Sequence, residues 1–274
     1  MELLPLIQST LQLYRDVFVK SWRACVRNWP VMLATPALMV LQLAAGWVVA
    51  PLGMLGGLLM SLVNAACSSC YLVLINEVTR TGGRATLQDF RRGFGVYFSD
   101  ILSVLFVLWI ASMLLNVVAG VSAQGQLVSM AVSLLAGIAL NVVPELIYQG
   151  RSRSTELLME SLQFVQQNWL EWFLPVGILS MLLGTQWLSL EFIQWDLSAI
   201  YGLLIALSPT GLAMTIPMEL LSRLGSAPVA AISLGIPLLF GFFFLMVFRG
   251  FLFRELNGTS RRSRAFRQKF EGWR

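Results

Sequence analysis

The sequence predicts an all-α polytopic membrane protein, a single helix bundle over residues 1–274, and three observations point to this fold class. Hydrophobic residues make up 57% of the chain and charged residues only 12%, about half the charged fraction of a soluble domain. The apolar residues occur in runs of roughly 20, the length at which a helix crosses the hydrocarbon core of a bilayer. Of the 19 Lys and Arg residues, all but Arg223 lie outside these runs or at one predicted end of them.

The apolar runs predict about six transmembrane helices, paired as three hairpins. They lie at about 30–50, 54–76, 99–119, 126–148, 169–189 and 233–253. A further apolar stretch at 197–222 contains Pro209 and Pro217. We interpret it as a re-entrant or interfacial segment, because a further crossing there would move the Arg-rich tail to the opposite side. The hairpins divide the chain into units of about 1–76, 77–148 and 149–253, followed by a basic tail at 254–274.

The cations lie on one predicted side of the membrane. They occur before the first helix, in the loops 77–98 and 149–168, and in the tail, whereas the turns on the opposite side carry none. Because Lys and Arg next to membrane helices stay in the cytoplasm, we expect a multi-pass protein of the inner membrane with both termini cytoplasmic. The tail is expected to contact anionic lipid or a protein partner through Arg261, Arg262, Arg264, Arg267 and Lys269.

An amphipathic segment precedes each predicted hairpin. Apolar side chains recur there at helical spacing, with cations on other faces, which fits a helix lying flat at the membrane interface. The alternative is that the apolar face packs on protein. The residues concerned are Leu11, Tyr14, Phe18, Cys25 and Trp29, then Leu87, Phe90, Phe94, Tyr97 and Ile101, then Leu158, Leu162, Val165 and Trp169.

Two kinds of internal similarity predict a repeat of about 70 residues used three times. The motif Ser21-x6-Asn28-Trp29 returns 140 residues later as Ser161-x6-Asn168-Trp169. The second helix of each hairpin also carries small residues at every fourth position. Small residues let helices approach closely in lipid, so we interpret the stripe as a packing surface rather than a substrate path. Its members are Gly53, Gly57, Ser61, Ala65 and Ser69, then Ser129, Ser133, Gly137 and Asn141.

Three carboxylates end helices at related positions and are candidate functional groups, namely Glu77, Glu145 and Glu219. Each has an arginine nearby in the sequence, respectively Arg80, Arg151 and Arg223. We therefore expect ion pairs that hold the helix end to the following loop. No charged residue is predicted at mid-depth in the first five helices, which argues against an ion-coupled pump.

The residue types exclude several chemistries. The chain has no His and three Cys, which excludes histidine-based metal sites and His-dependent triads. Cys67-x-x-Cys70 could serve a membrane thiol oxidoreductase, but a buried Cys in an apolar helix is usually inert. We expect no cofactor and no metal. We also expect no nucleic-acid partner, because the cations flank membrane segments instead of forming one basic face.

One stretch resembles a known family. From Val143 to Leu179 it reads VPELIYQGRSRSTELLMESLQFVQQNWLEWFLPVGIL. This resembles a widespread group of prokaryotic six-helix membrane proteins related to the membrane domain attached to some glycerophosphodiester phosphodiesterases. The segments LQLYRDVFVKSWRACVRNWP and LLFGFFFLMVFRGFLFREL are similar to the ends of that group. The resemblance implies the six-helix fold. It does not imply phosphodiesterase activity, since this sequence has no counterpart of the catalytic domain.

The sequence thus favours a non-enzymatic membrane subunit, associated with transport or with the cell envelope. It would act with membrane lipids and with a protein partner or further copies of itself. An alternative is a self-sufficient carrier or channel for an apolar or lipid-like solute, suggested by the small-residue faces and the uncharged interior. The third possibility is the thiol oxidoreductase based on Cys67 and Cys70.

Overall fold

The chain is helical throughout the part that the computed structural model describes, which is residues 3–80, 83–150, 155–184 and 228–257. Short 3-10 turns at Trp29–Leu33 and Ala50–Leu52 flank the second α-helix. In this part of the chain the α-helices are α1 Leu3–Arg27, α2 Ala34–Val49, α3 Met54–Thr79, α4 Leu87–Val96, α5 Phe98–Val121, α6 Ala123–Ala139, α7 Val143–Gln149, α8 Thr155–Gly184 and α9 Pro228–Leu256.

Four segments of the described chain are long and apolar enough to cross a membrane. They are Trp29–Leu52, Met54–Thr79, Phe98–Leu115 and Gln124–Gln149. Only 11% to 39% of the residues in their apolar stretches are buried inside the protein. Helices with so much exposed apolar surface require an apolar solvent, and a helix is suited to it because its backbone polar groups are satisfied internally. The membrane class predicted from the sequence is therefore confirmed.

The first two spans form a hairpin with a tight turn. Gly53 lies at the turn with φ of 56°, a left-handed conformation that favours glycine. Three residues later, a side chain on Gly56 would overlap the carbonyl group of Val49. These two glycines let α2 and α3 meet closely at the turn. In the second hairpin α6 begins at a Ser122 cap, whose hydroxyl accepts a hydrogen bond of 3.1 Å from the Gly125 amide.

Three helix boundaries differ from the predicted ones. The span predicted at 126–148 is interrupted at 140–142, so that α6 and α7 are separate helices, with Pro144 in the first turn of α7. Proline suits a helix start because its missing N–H would be unpaired there anyway. The fifth span continues from the preceding amphipathic segment as one helix, α8, with a kink at Asn168. The last helix is longer than predicted and covers Pro228–Leu256. The segment 197–222 and the tail beyond residue 257 lie outside the described residues.

Long-range hydrogen bonds bring the ends of α1, α3 and α9 together. Arg27 Nη2 donates to the Gly83 carbonyl at 2.7 Å, and Arg254 Nη1 donates to the Thr79 carbonyl at 2.8 Å. Lys20 Nζ and Glu255 Oε1 form an ion pair of 2.7 Å between α1 and α9. We call this end of the bundle, marked by Arg27, Thr79 and Arg254, the polar end. Buried side chains next to these contacts include Val78, Leu252 and Phe253.

The amphipathic helix α4 packs on α3. A capping box between Thr86 and Asp89 begins the helix. The Ser69 hydroxyl donates to the Gly93 carbonyl at 2.6 Å and accepts from the Tyr97 amide at 2.9 Å. The side chains of Phe90, Phe94 and Tyr97 are half-buried against the core. Most of the apolar stripe of α4 therefore packs on protein, the alternative to an interfacial location, whereas Leu87 at its start is exposed.

We expect the contact between α4 and α3 to depend on Gly93. A Cβ added there would lie 2.9 Å from Cys70 Cα, a backbone atom that has little freedom to move. Gly93→Ala should therefore destabilise the purified protein by about 1–3 kcal/mol through overpacking. Gly95→Ala is the matched control, because open space surrounds Gly95 in the same helix. Thermal unfolding in detergent would measure both variants, and an equal response of the two would contradict the contact.

Candidate functional site

The predicted small-residue stripe packs only near the polar end. In α3, Ala65 and Ser69 are buried, and at the end of the second hairpin Asn141 is buried too. Farther along both helices the stripe is half-buried or exposed. Its remaining members are Gly53, Gly57, Ser61, Ser129, Ser133 and Gly137. A Cβ added to Gly57 or to Gly137 would meet no atom within 4 Å. The far part of the stripe is therefore not covered by the described residues.

The predicted carboxylates have different environments. Glu77 forms the expected local ion pair, with Oε1 3.1 Å from Arg80 Nη1, and both side chains are partly exposed. Glu145 is fully buried and pairs with Arg249 of α9. This partner was not predicted, because sequence proximity shows only local pairs and Arg249 is 104 residues away. Glu219, Arg151 and Arg223 lie outside the described residues.

The Glu145–Arg249 pair is a bidentate contact shielded from solvent. Arg249 Nε lies 2.7 Å from Glu145 Oε1, and Nη2 lies 3.1 Å from Oε2. The two side chains are 1% and 0% exposed. Nη2 also donates to the Asn141 carbonyl at 2.7 Å. Paired ions with two parallel hydrogen bonds are among the strongest polar contacts in proteins.

Trp172 joins the pair to α8. Its ring centroid is 4.8 Å from the guanidinium carbon of Arg249, within the range of a cation–π contact. Its indole Nε1 donates to the Asn141 side-chain oxygen at 3.0 Å. Asn141 lies in the break between α6 and α7 and so contacts both Arg249 and Trp172. We call these four residues, Asn141, Glu145, Trp172 and Arg249, the buried polar cluster.

The sequence predicted only part of this cluster. Asn141 was expected to pack between helices and Glu145 to form an ion pair, but no contact was predicted for Arg249, which lies within the last predicted span. Trp172 had no predicted role. The available signal was the lone arginine in the apolar run LMVFRGFLF, since a charge in such a run needs a partner. The interior of the described structure therefore contains charged residues. The carrier hypothesis had assumed an uncharged interior.

The chemistry of the cluster suits holding helices together. Both oxygens of Glu145 and two of the three guanidinium nitrogens of Arg249 are engaged, which leaves Arg249 Nη1 without a partner in the described part of the chain. The cluster links α7, α8 and α9 at one point. Among the described residues, no group of three or more Cys, Asp or Glu side chains could hold a metal ion.

The three cysteines are free thiols buried in the core. Cys70 Sγ donates to the Phe90 carbonyl at 3.3 Å, so this thiol serves the contact between α3 and α4. Burial raises the pKa of Cys25 to about 12. Because the thiolate is the reactive form of cysteine, this shift makes Cys25 less reactive than an exposed thiol.

The stability of the protein should depend on Glu145 far more than on Glu77. Removing one member of a buried ion pair leaves an unpaired buried charge and costs about 3–5 kcal/mol. We expect Glu145→Gln to lower the free energy of unfolding by roughly this amount. Glu77→Gln, the matched control at the related position, should cost about 1 kcal/mol or less because its pair is partly exposed. Unfolding in detergent would measure both variants. Similar losses of unfolding free energy would contradict the larger contribution expected of the buried pair.

Comparison with known protein families, with curated proteins and with solved structures finds no match to this chain. The function is therefore argued from the residues and their geometry.

Proposed function

We propose that the protein lies in the inner membrane and has six transmembrane helices. Its polar end would face the cytoplasm. The second part of α8 and the whole of α9 supply the two further spans, and α9 with 29 residues is long enough for one crossing at ~1.5 Å per residue. The cations Arg27, Arg80 and Arg254 lie together at the polar end, which supports a cytoplasmic location for it.

The direction of α8 and α9 agrees with this topology. Trp172 and Arg249 contact each other at the polar end, so α8 leads away from that end and α9 returns to it. In this topology Gly184 and Pro228 both lie on the far side of the membrane. That arrangement is compatible with the proposal that 197–222 does not cross and that both termini are cytoplasmic.

The geometry of two asparagines supports the proposed repeat. Asn28 and Asn168 depart from helical backbone angles in the same way, with φ/ψ of −113°/30° and −125°/16°. The side-chain nitrogen of each donates to the carbonyl four residues earlier, at 3.0 and 3.3 Å. The residues 21–30 and 161–170 also have the same order of buried and exposed positions. A repeat of this kind places α1 and the first part of α8 at equivalent levels of the membrane.

The proposed orientation can be tested with single introduced cysteines. Met54→Cys lies at the fully exposed hairpin turn and Gly95→Cys in the exposed face of α4. In intact spheroplasts a membrane-impermeant maleimide should label the cysteine at 54, and it should reach the cysteine at 95 only after permeabilisation. The native cysteines are buried and give a low background. Labelling in the reverse order would place the polar end outside.

We further propose that the protein is a non-enzymatic membrane subunit, associated with transport or with the envelope, that works with a partner. The observation that carries this proposal is the uncovered part of the small-residue stripe at Gly57 and Gly137. In lipid, small residues promote close contact between helices because the hydrophobic drive between them is weak. A helix of another subunit, or of a second copy, would fit these faces. The polar groups of the buried cluster are already used for packing, which supports a role without catalysis.

Purification of a tagged protein from native membranes in mild detergent, followed by mass spectrometry, tests this role. We expect one stoichiometric partner or a defined oligomer. Gly57→Leu and Gly137→Leu should lose that association, because the larger side chain prevents close approach. Ala131→Leu, an exposed position in α6 outside the stripe, is the control and should retain it. Recovery of the wild type as a homogeneous monomer would refute the subunit role.

A monomer would instead favour the second candidate, a self-sufficient carrier or channel for an apolar or lipid-like solute. The same open faces on the two hairpins support it, since a solute could occupy the space that a partner helix would fill. Flux or lipid scrambling in vesicles that contain only this protein would then be expected. Vesicles no more permeable than empty ones would contradict the carrier function.

A further inference from the structure

The helix α1 has three different faces. One face is buried in the core and includes Val17, Ser21 and Asn28. Next to it is an apolar edge with the half-exposed side chains of Phe18 and Trp22. The third face is polar and exposed. A helix with a core face, an aromatic edge and a polar face is suited to lie at the boundary between lipid and water.

The aromatic edge of α1 is continuous with a proposed transmembrane helix. The rings of Phe18 and Phe244 are 5.2 Å apart, and those of Trp22 and Phe240 are 5.5 Å apart. Phe240 and Phe244 belong to α9, and Phe244 is buried, so one side of the aromatic edge packs against α9. In the proposed membrane placement, the half-exposed side of the edge faces the hydrocarbon and the polar face lies at the level of the lipid headgroups.

The polar face of α1 is cationic. The helix contains four cations and one carboxylate, a net charge of +3. Lys20 and Arg27 are engaged with Glu255 and Gly83 respectively. Arg15 is largely exposed, and among the described residues its ion pair is the one with the adjacent Asp16, at 3.7 Å. Arg23 is exposed and forms no ion pair with the residues that the structure describes. The described residues thus leave two exposed guanidinium groups of α1 for an external anion.

The equivalent part of α8 has the same order of buried and exposed positions over residues 161–168, and it has the opposite charge. Each cation of α1 is replaced 140 residues later by a neutral or acidic residue. Residues 155–168 contain two carboxylates and no cation, a net charge of −2. Arg151 and Arg153 precede this helix and lie outside the described residues. The pairs are Arg15 and Thr155, Lys20 and Glu160, Arg23 and Gln163, Arg27 and Gln167.

We propose that α1 is a binding surface for the headgroups of anionic phospholipids and that the equivalent helix α8 is not. Guanidinium groups donate charge-assisted hydrogen bonds to phosphate oxygens, and cations at the membrane surface attract acidic lipids. In the proposed repeat both helices lie at the same depth in the membrane. The difference in their charge therefore determines which of them binds anionic lipid. The inference rests on the proposed membrane placement, which sets the depth of the two helices.

Two tryptophans at equivalent positions provide a matched test. Trp29 follows α1 and Trp169 follows the kink of α8, and each is 58% exposed. The full chain would be reconstituted in phosphatidylcholine bilayers that contain a minor fraction of acyl-brominated phosphatidylglycerol. Comparison of the wild type with Trp29→Phe and with Trp169→Phe isolates the quenching of each tryptophan. Brominated phosphatidylcholine, used separately, reports contact with lipid irrespective of headgroup charge.

We expect brominated phosphatidylcholine to quench both tryptophans equally and brominated phosphatidylglycerol to favour Trp29. The preference should fall roughly fivefold for each arginine removed in Arg15→Gln and Arg23→Gln. Both residues are exposed, so these variants should unfold at the temperature of the wild type. Glu160→Lys combined with Gln163→Arg should transfer the preference to Trp169.

Equal quenching of the two tryptophans by brominated phosphatidylglycerol would overturn the proposed selectivity while leaving the membrane placement intact. An unchanged preference in the double variant Arg15→Gln/Arg23→Gln would also overturn it, because the cations would then not be the cause. Failure of brominated phosphatidylcholine to quench either tryptophan would overturn the interfacial placement and the lipid site with it.

Discussion

The position of α9 depends on one buried ion pair. Arg249 lies in an apolar helix where an unpaired charge would cost several kcal/mol. Glu145 offsets that cost only when α7 and α9 meet at one register, because a bidentate contact tolerates little displacement. Trp172 and Asn141 then enclose the pair and add α8 to the same point. The pair thus selects one arrangement of three helices whose apolar surfaces alone would permit many.

Away from the polar end the described helices are largely exposed. Most residues in the apolar stretches of the two hairpins are not buried, and no described residue covers the small-residue faces at Gly57 and Gly137. Burying such surfaces gains little in lipid, since the bilayer solvates them as well as a protein interior does. The polar end is therefore the rigid part of the described structure, and the far parts of the hairpins are the surface available to lipid, partner or solute.

The sequence predicted the features that depend on local composition and missed those that depend on tertiary contact. The apolar runs located the first three spans within a few residues, because a membrane span requires a minimum length. The pair between Glu77 and Arg80 was predictable because the residues are three apart on one helix. No local pattern joins Glu145 to Arg249, which lie in different helices. The sequence also did not predict the need for glycine at position 93, because that need arises from close approach to the Cys70 backbone in another helix.

The buried side chains of α1 and the first part of α8 are similar, whereas their exposed side chains differ in charge. Ser21 and Ser161 are both fully buried, and Asn28 and Asn168 make the same backbone contact, so the core side of the two helices has changed little in its geometry. On the exposed side Arg23 corresponds to Gln163. A change of charge at an exposed position costs the fold little. In the proposed repeat, the two helices would thus keep one packing arrangement while their exposed faces contact different lipids or partners.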